Sequence, residues 1–319
     1  MIAELYEAAA AAGRYLLAPL VASRLPALRV RGRTAGGRAG SLILVGRRAV
    51  LTALRRNVLL VEMESQELQP LSLARLSRDL ARLEGEADLV VLRVPRLIAD
   101  LAQGGTSIVM PESVGMRAPI AAIEARRRGS TSVISAERRV RRAGLAPRQS
   151  EDPRDFDLFY DSMYVPFART RFQDAAVVRS REALRRRLRN GSLFWVEQAG
   201  RPVAGYLVER QSRVLHLLIF GTGLDPVLAR ELGLMSAIRL FAIEHAAATG
   251  AEFLDLGGSL PWLRDGSLRS KHLWGANLVR RRWSNGALLV RWPAWNPTVS
   301  AFIGLAPMVR GAGKGWEAL

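Results

Sequence analysis

The residues best equipped for chemistry lie in one short stretch of the chain. Phe253-Leu254-Asp255-Leu256-Gly257-Gly258-Ser259 is followed by Asp265-Gly266-Ser267-Leu268 and then by Lys271-His272-Leu273-Trp274-Gly275. Lys271 draws most interest, because the 47 basic residues include two lysines, Lys271 and Lys314, and are otherwise arginine. A composition that has lost almost every lysine makes each survivor a candidate for a task arginine performs badly. A lysine ammonium is a compact, rotatable point charge, whereas a guanidinium is a flat fork. Lys314, in a Gly-rich tail, reads as a leftover.

Asp255 is a candidate base, since a carboxylate can take a proton from a nucleophile. An aspartate at a strand end also serves as a structural hydrogen-bond acceptor, and both readings stay open here. Gly257 and Gly258 would let a substrate approach the backbone closely. Ser259 could orient an acceptor. His272 reads as a solvent-facing or packing residue sooner than as a base.

The elements that must position these residues follow from pattern. A first helix is expected over 2–23, strands over 28–33, 41–46 and 50–63, a helix over 72–84 and a buried strand over 88–94. This alternation describes an α/β domain. From residue 123 the chain turns basic, with Arg126-Arg127-Arg128, Arg138-Arg139 and Arg141-Arg142, read either as a solvated bridging helix or as a polyanion site. An aromatic-rich helix is expected over 153–172 and a second basic helix over 180–190. Strands at 193–198 and 202–210 flank the turn Ala199-Gly200-Arg201. A strand over 214–220 ends at Gly221-Thr222-Gly223, and a helix over 225–249 opens with Asp225 as its cap and Pro226 at its first position. A short strand at 252–256 and a hairpin of 279–283 with 287–292 about Ser284-Asn285-Gly286 complete the reading. The expected organisation is an N-terminal α/β domain over 1–122, a second domain over 123–291, and an apolar Trp/Pro-rich tail over 292–319.

Composition narrows the chemistry. The 319 residues are 49% hydrophobic and 24% charged, as in a folded protein of two domains. With no cysteine and three histidines, thiolate chemistry is excluded and a histidine-rich metal site is not expected. The formal charge of +18 implies a surface that attracts RNA, anionic lipid headgroups or phosphorylated substrates. No base-reading motif organises the arginines, so sequence-specific DNA binding is not expected. No run reaches the roughly 18 apolar residues of a membrane span, and the expected location is cytoplasmic, with a peripheral contact at the inner membrane surface left open. The tail, with Trp292, Trp295 and Phe302, either packs on its own domain or touches a membrane interface.

The element order from the aromatic-rich helix onward resembles that of the GNAT acyltransferase superfamily. The closing run, a strand ending in glycine and then Lys271, two residues, Trp274 and Gly275, is similar to that of the Fem-type (FemAB-like) peptidoglycan-bridge acyltransferases. Similar too are Arg138 to Gly144 and Phe159-Tyr160 with the downstream Arg169 and Arg171, so that the resemblance covers roughly residues 120–290. It implies a mixed central sheet flanked by helices, with a GNAT-like C-terminal domain and a smaller, degenerate GNAT-like N-terminal half. It further implies two strands, 214–220 and 252–256, that splay apart to receive a donor.

The implied activity is transfer of an acyl or aminoacyl group from an acyl-CoA or an aminoacyl-tRNA to an amine, without a metal, in cell-envelope or exopolysaccharide synthesis. Lys271 would face the developing oxyanion and Asp255 the nucleophile. Gly257, Gly258, Ser259, Tyr160, Arg169, Arg171 and Trp274 would contact substrate, and Gly221 and Gly223 the donor. The implied partners are a phosphorylated or lipid-linked acceptor and a tRNA. Three positions depart from these patterns. Ser270 stands where an aromatic usually precedes the lysine, Leu218 stands where an acetyl-CoA loop has glutamine or arginine, and Asp225 puts negative charge at a helix start. Two other readings remain: a long-chain N-acyl amino acid synthase, and a non-catalytic basic protein that binds RNA or a membrane surface on a degenerate transferase fold.

Overall fold

The apolar run expected to form a buried strand does so, and a sheet is built around it. In the computed structural model, which describes residues 24–34, 37–46, 60–72, 75–172, 178–279, 286–305, 309–312 and 315–318, the chain forms two compact units. The expected helix over 2–23, the part of the expected strand over 50–59, and Lys314 lie outside the described residues.

The first unit comprises residues 1–112, 261–264 and 283–319. Its described strands are β1 (Arg24–Thr34), β2 (Ala39–Val45), β3 (Leu60–Ser72), β4 (Leu89–Pro95) and β5 (Ser107–Pro111), with helices α1 (Leu76–Glu84) and α2 (Arg96–Leu101). Strand β13 (Gly286–Arg291) completes a sheet of order β3-β1-β2-β4-β13-β5. Ile43, Val90, Leu92 and Leu289 of this sheet are buried together with Leu80 and Leu83 of α1, whose leucines recur at helical spacing.

Of the expected hairpin about Ser284-Asn285-Gly286, residues 280–285 lie outside the described residues, and the described part of its second strand pairs elsewhere. Residues 286–291 pair antiparallel with β4 and β5, whereas β12 (Asn277–Val279) joins the sheet of the second unit. The reason lies in the strand itself, because Ala287, Leu288, Leu289 and Val290 are all buried. A strand with two apolar faces belongs inside a covered sheet, not in an exposed ribbon. The apolar tail forms helix α11 (Pro297–Leu305) and the strand pair β14 (Val309–Ala312) and β15 (Gly315–Ala318). Trp292, Val299 and Ile303 are buried, while Trp295 is 60% exposed.

The second unit comprises residues 113–260 and 265–282. Its elements are β6 (Val114–Pro119), α3 (Ile120–Gly129), α4 (Thr131–Arg142), β7 (Leu145–Gln149), α5 (Asp155–Phe159), a π turn (Tyr160–Tyr164), α6 (Val165–Phe172), α7 (Arg181–Leu188), β8 (Gly191–Gln198), β9 (Arg201–Gln211), β10 (Val214–Thr222), α8 (Pro226–Leu232), α9 (Leu234–Ala248), β11 (Phe253–Ser259) and α10 (Gly266–Leu273). The sheet order is β12-β6-β11-β10-β9-β8-β7, with β10 and β11 parallel and the other pairs antiparallel. Phe156, Phe159, Tyr164, Leu184, Trp195, Leu207 and Ile219 form a buried cluster among α5, the π turn, α7 and the strands. The single helix expected over 225–249 is two. Gly233, at φ +74°, ends α8 by donating its N–H to the carbonyls of Ala229 and Arg230, a left-handed stop that favours glycine.

One feature of this sheet prepares a site. Strands β10 and β11 pair only at Val214 with Phe253, Leu215 with Leu254 and His216 with Asp255, although β10 runs on to Thr222 and β11 to Ser259. Beyond that point each strand keeps its outer neighbour, β9 and β6 respectively. Both carry a bulge where they part, between Leu217 and Ile219 on β10 and between Asp255 and Gly258 on β11. A bulge bends its strand and increases its twist. Two bulges at the same level therefore separate the strand ends and expose backbone groups between them, as the sequence led one to expect.

Candidate functional site

The β11 bulge is built by its own residues. Leu256 and Gly257 together oppose Met116 of β6, and Gly257 takes φ +76°, a conformation that favours glycine. The Asp255 carboxylate closes this turn by accepting the Gly257 N–H at 2.8 Å. It also faces Arg117 at 3.4 Å and His216 Nδ1 at 3.5 Å. Burial works to raise its pKa, but the hydrogen bonds from His216 and Gly257 and the charges of His216 and Arg117 outweigh burial and hold it at about 2. Such a carboxylate is a weak base, and its hydrogen bonds fit the structural reading of Asp255.

The bulge also turns the Gly258 carbonyl toward α10. That helix is fixed at its start by Asp265, which accepts the Leu268 N–H at 2.8 Å. Near its end Lys271 is buried, only 8% exposed, and Nζ donates to Gly258 O at 2.7 Å and to Ser259 Oγ at 3.2 Å. Ser259 Oγ lies 3.5 Å from Ser267 Oγ on the same helix. A charge taken out of water requires such hydrogen bonds. Lys271, Gly258 and Ser259 thus meet at the end of a splayed strand, and Asp255 and Gly257 shape that end. Trp274 is buried and donates its N–H to Lys271 O at 3.1 Å, so it packs the segment behind the lysine. His272 is exposed, with Nδ1 3.2 Å from Ala276 O.

A second cation reaches the residue that precedes Lys271, and sequence reasoning missed it. Arg239 of α9 is partly buried and places Nη1 2.7 Å from Ser270 Oγ. Burial and the nearby charge of Arg171 push its guanidinium down to about 10. Arg171 in turn lies over the Phe167 ring, 5.7 Å from its centroid, and Phe167 contacts Phe220 of β10 at 5.6 Å between centroids. The signal was present in the sequence, since α9 carries two formal charges, Arg239 and Glu244, in an otherwise apolar and small helix.

The remaining candidates are placed elsewhere in the unit. Tyr160 donates its hydroxyl to Arg179 O at 2.9 Å and holds Arg181 over its ring, while burial raises its pKa. These contacts commit it to the α5–α7 side. Arg169 is exposed near the end of α6. Gly221 is required by packing: a Cβ there would stand 2.6 Å from Met163 O and from the Tyr164 Cα. The Thr222 hydroxyl between the two glycines donates to Val203 O and accepts the Leu224 N–H, so the turn is satisfied from within.

The start of α8 does not fit the usual lodging of a CoA pyrophosphate. Asp225 Oδ1 accepts the N–H groups of Val227 and Leu228, the donors an anion would need, and adds a negative charge. Among the described residues no group of three or more His, Cys, Asp or Glu is placed to hold a metal ion. No helix of the described residues is long and apolar enough to cross a membrane.

Residues 126–264 match the family model of the acetyltransferase (GNAT) domain, which spans both splayed strands. Among solved structures the chain is similar to FemX, with 12% identity over 78% of this chain and 80% of that one at a TM-score of 0.44. It is also similar to L-PGS from Bacillus licheniformis, with 11% identity over 86% of this chain and 87% of that one at a TM-score of 0.40. No curated protein matches. Residues 126–264 thus match a GNAT acetyltransferase domain, and the mixed sheet with flanking helices is the fold the sequence resemblance implied.

Proposed function

We propose that this acyltransferase moves an activated acyl or aminoacyl group to an amine acceptor, with the reacting carbonyl held between the ends of β10 and β11. The observation that carries the reading is the buried Lys271 ammonium on Gly258 O and Ser259 Oγ at the end of a strand that has left its neighbour. Attack of an amine on the carbonyl carbon places negative charge on the carbonyl oxygen. Collapse of that adduct breaks the bond to the carrier, and the amine gives up a proton. An ammonium in a partly dry setting stabilises the oxyanion more than the ground-state carbonyl, which is what accelerates the step. The longer contact, to Ser259 Oγ, is the one Lys271 exchanges for the oxyanion. Backbone groups freed by the two bulges align the extended donor. Asp255, ionised and engaged, fixes the bulge, and the acceptor's proton leaves by another route.

The donor is an acyl-CoA held differently from the usual pyrophosphate turn, or an aminoacyl-tRNA. The amine acceptor carries a phosphorylated or lipid-linked group, in keeping with the +18 charge and with a role in the cell envelope. The test is donor discrimination. The protein is incubated with aminoacyl-tRNAs and with acyl-CoAs of several chain lengths, and complex formation and carrier release are followed. One donor class is expected to react, and Lys271→Arg is expected to lose about 10²–10³-fold in rate while remaining folded. No response to either donor class refutes the proposal, and so does full activity in the arginine variant.

A further inference from the structure

Phe220 of β10 meets Phe167, Arg171 lies over the Phe167 ring, the charge of Arg171 acts on Arg239, and Arg239 bonds to Ser270, the residue before the Lys271 that holds Gly258 and Ser259 of β11. Among these residues Arg239 is anomalous. It is substantially withdrawn from water and lies near a second guanidinium. Among the described residues it has no carboxylate partner, its hydrogen bond going to the neutral Ser270 hydroxyl. The unit is otherwise generous with such partners, as Arg127 shows with Glu124 and Glu137 and Arg181 with Asp157 and Asp161. A withdrawn cation is ordinarily paired, because the cost of desolvation is otherwise not offset.

We propose that Arg239, held by Ser270 and flanked by Arg171, binds an oxyanion of the substrate, a phosphoryl or carboxylate group, beside Lys271. The inference rests on the proposed transfer site and names the chemistry of what enters it. It accounts for two departures of the sequence at once. Ser270, in place of an aromatic, is the hydroxyl that orients the Arg239 fork. Asp225 closes the start of α8 to anions, and the Arg239 guanidinium supplies an anion site elsewhere in the unit. A forked donor suits a tetrahedral or planar oxyanion, since the fork offers paired N–H groups. Arg171 was a substrate-binding candidate from the sequence, and the geometry gives it a partner.

The test is anion-dependent thermal stability, which needs no turnover. Inorganic pyrophosphate, inorganic phosphate and acetate are titrated at constant ionic strength set with chloride. The wild type is expected to gain several degrees in Tm when the bound anion exceeds its dissociation constant about 100-fold, the gain rising with the logarithm of anion concentration. A response to the phosphates alone identifies a phosphoryl group, and a response to acetate alone a carboxylate. Arg239→Met is expected to lose the response and, without anion, to melt no lower than the wild type, since it removes an unneutralised charge. The exposed control Arg201→Gln should keep the response. Should Arg239→Met fail to fold, Ser270→Ala is expected to fold and to weaken anion affinity several-fold. The inference is overturned if no anion raises the wild-type Tm above chloride, or if Arg239→Met responds as the wild type does. It is overturned equally if Ser270→Ala binds with unchanged affinity. Lys271→Arg should still bind the anion, so loss of transfer with retained anion binding separates a failure of the transfer proposal from a failure of this one.

Discussion

Replacing Asp255 with asparagine removes a charge and leaves a side-chain oxygen able to accept the Gly257 N–H, so the bulge survives while its electrostatic support does not. The wild-type carboxyl is held at about 2, from an ordinary 3.8. At about 1.4 kcal/mol per tenfold change in proton affinity, the depression corresponds to about 2 kcal/mol of folding stability. The side chain is 18% exposed, so solvent screens little of it. Because the folded pKa is depressed, this stability is fully present above pH 4 and is lost as pH falls from about 4 to about 2. Urea unfolding followed by circular dichroism reads the effect directly. With a slope of about 2 kcal/mol per M, Asp255→Asn should lower the midpoint by about 1 M at pH 7. The gap should close as pH approaches 2, where the wild-type carboxyl takes up its proton. Equal midpoints at pH 7, or a gap that widens on acidification, would refute the assignment of Asp255 as the charged clamp of the bulge.

Two further substitutions address the turn after β10. Gly221→Ala places a methyl 2.6 Å from the backbone of the π turn, which must shift, so a loss of about 1–3 kcal/mol is expected in the same urea experiment. Asp225→Ala removes the cap that accepts from Val227 and Leu228 and should cost about 1 kcal/mol, measured the same way, while leaving the response to pyrophosphate unchanged.

Much of the second unit was legible because its signals are local. Turn residues Ala199-Gly200, the Asp225-Pro226 start and the aromatic helical pattern of 153–172 each specify their element without help from distant residues. The parting of β10 from β11 was implied by the family resemblance, and the two bulges that cause it were not. A bulge is a property of paired registers, which neither strand carries in its own residues. The same limit explains residues 286–291. Their turn-like neighbours Ser284-Asn285-Gly286 promised a hairpin, but four consecutive buried apolar residues bind the strand between β4 and β5. The break at Gly233 hides inside a helix whose apolar spacing continues on both sides. Arg239 was overlooked because, among so many arginines, its one signal, a lone cation in a largely apolar helix, is easily passed over.

The site itself shows how a scarcity in the sequence and an excess in the structure answer one another. Lysine is scarce, and the lysine at 271 is buried on oxygens of β11 where a guanidinium would be broader and less mobile. Arginine is abundant and mostly paired or solvated, so composition gives no reason to single out position 239, yet its environment does. A helix that withdraws one guanidinium from water without a carboxylate gives up stability, which a bound anion of the proposed kind would restore. In the proposed reaction the two cations would divide the work by their shapes. The fork at 239 suits an anion that must be held still throughout the reaction, and the point charge at 271 suits an oxygen whose charge appears only as the carbonyl is attacked. Exchanging the two residue types would therefore impair both steps even though the net charge of the site stays the same.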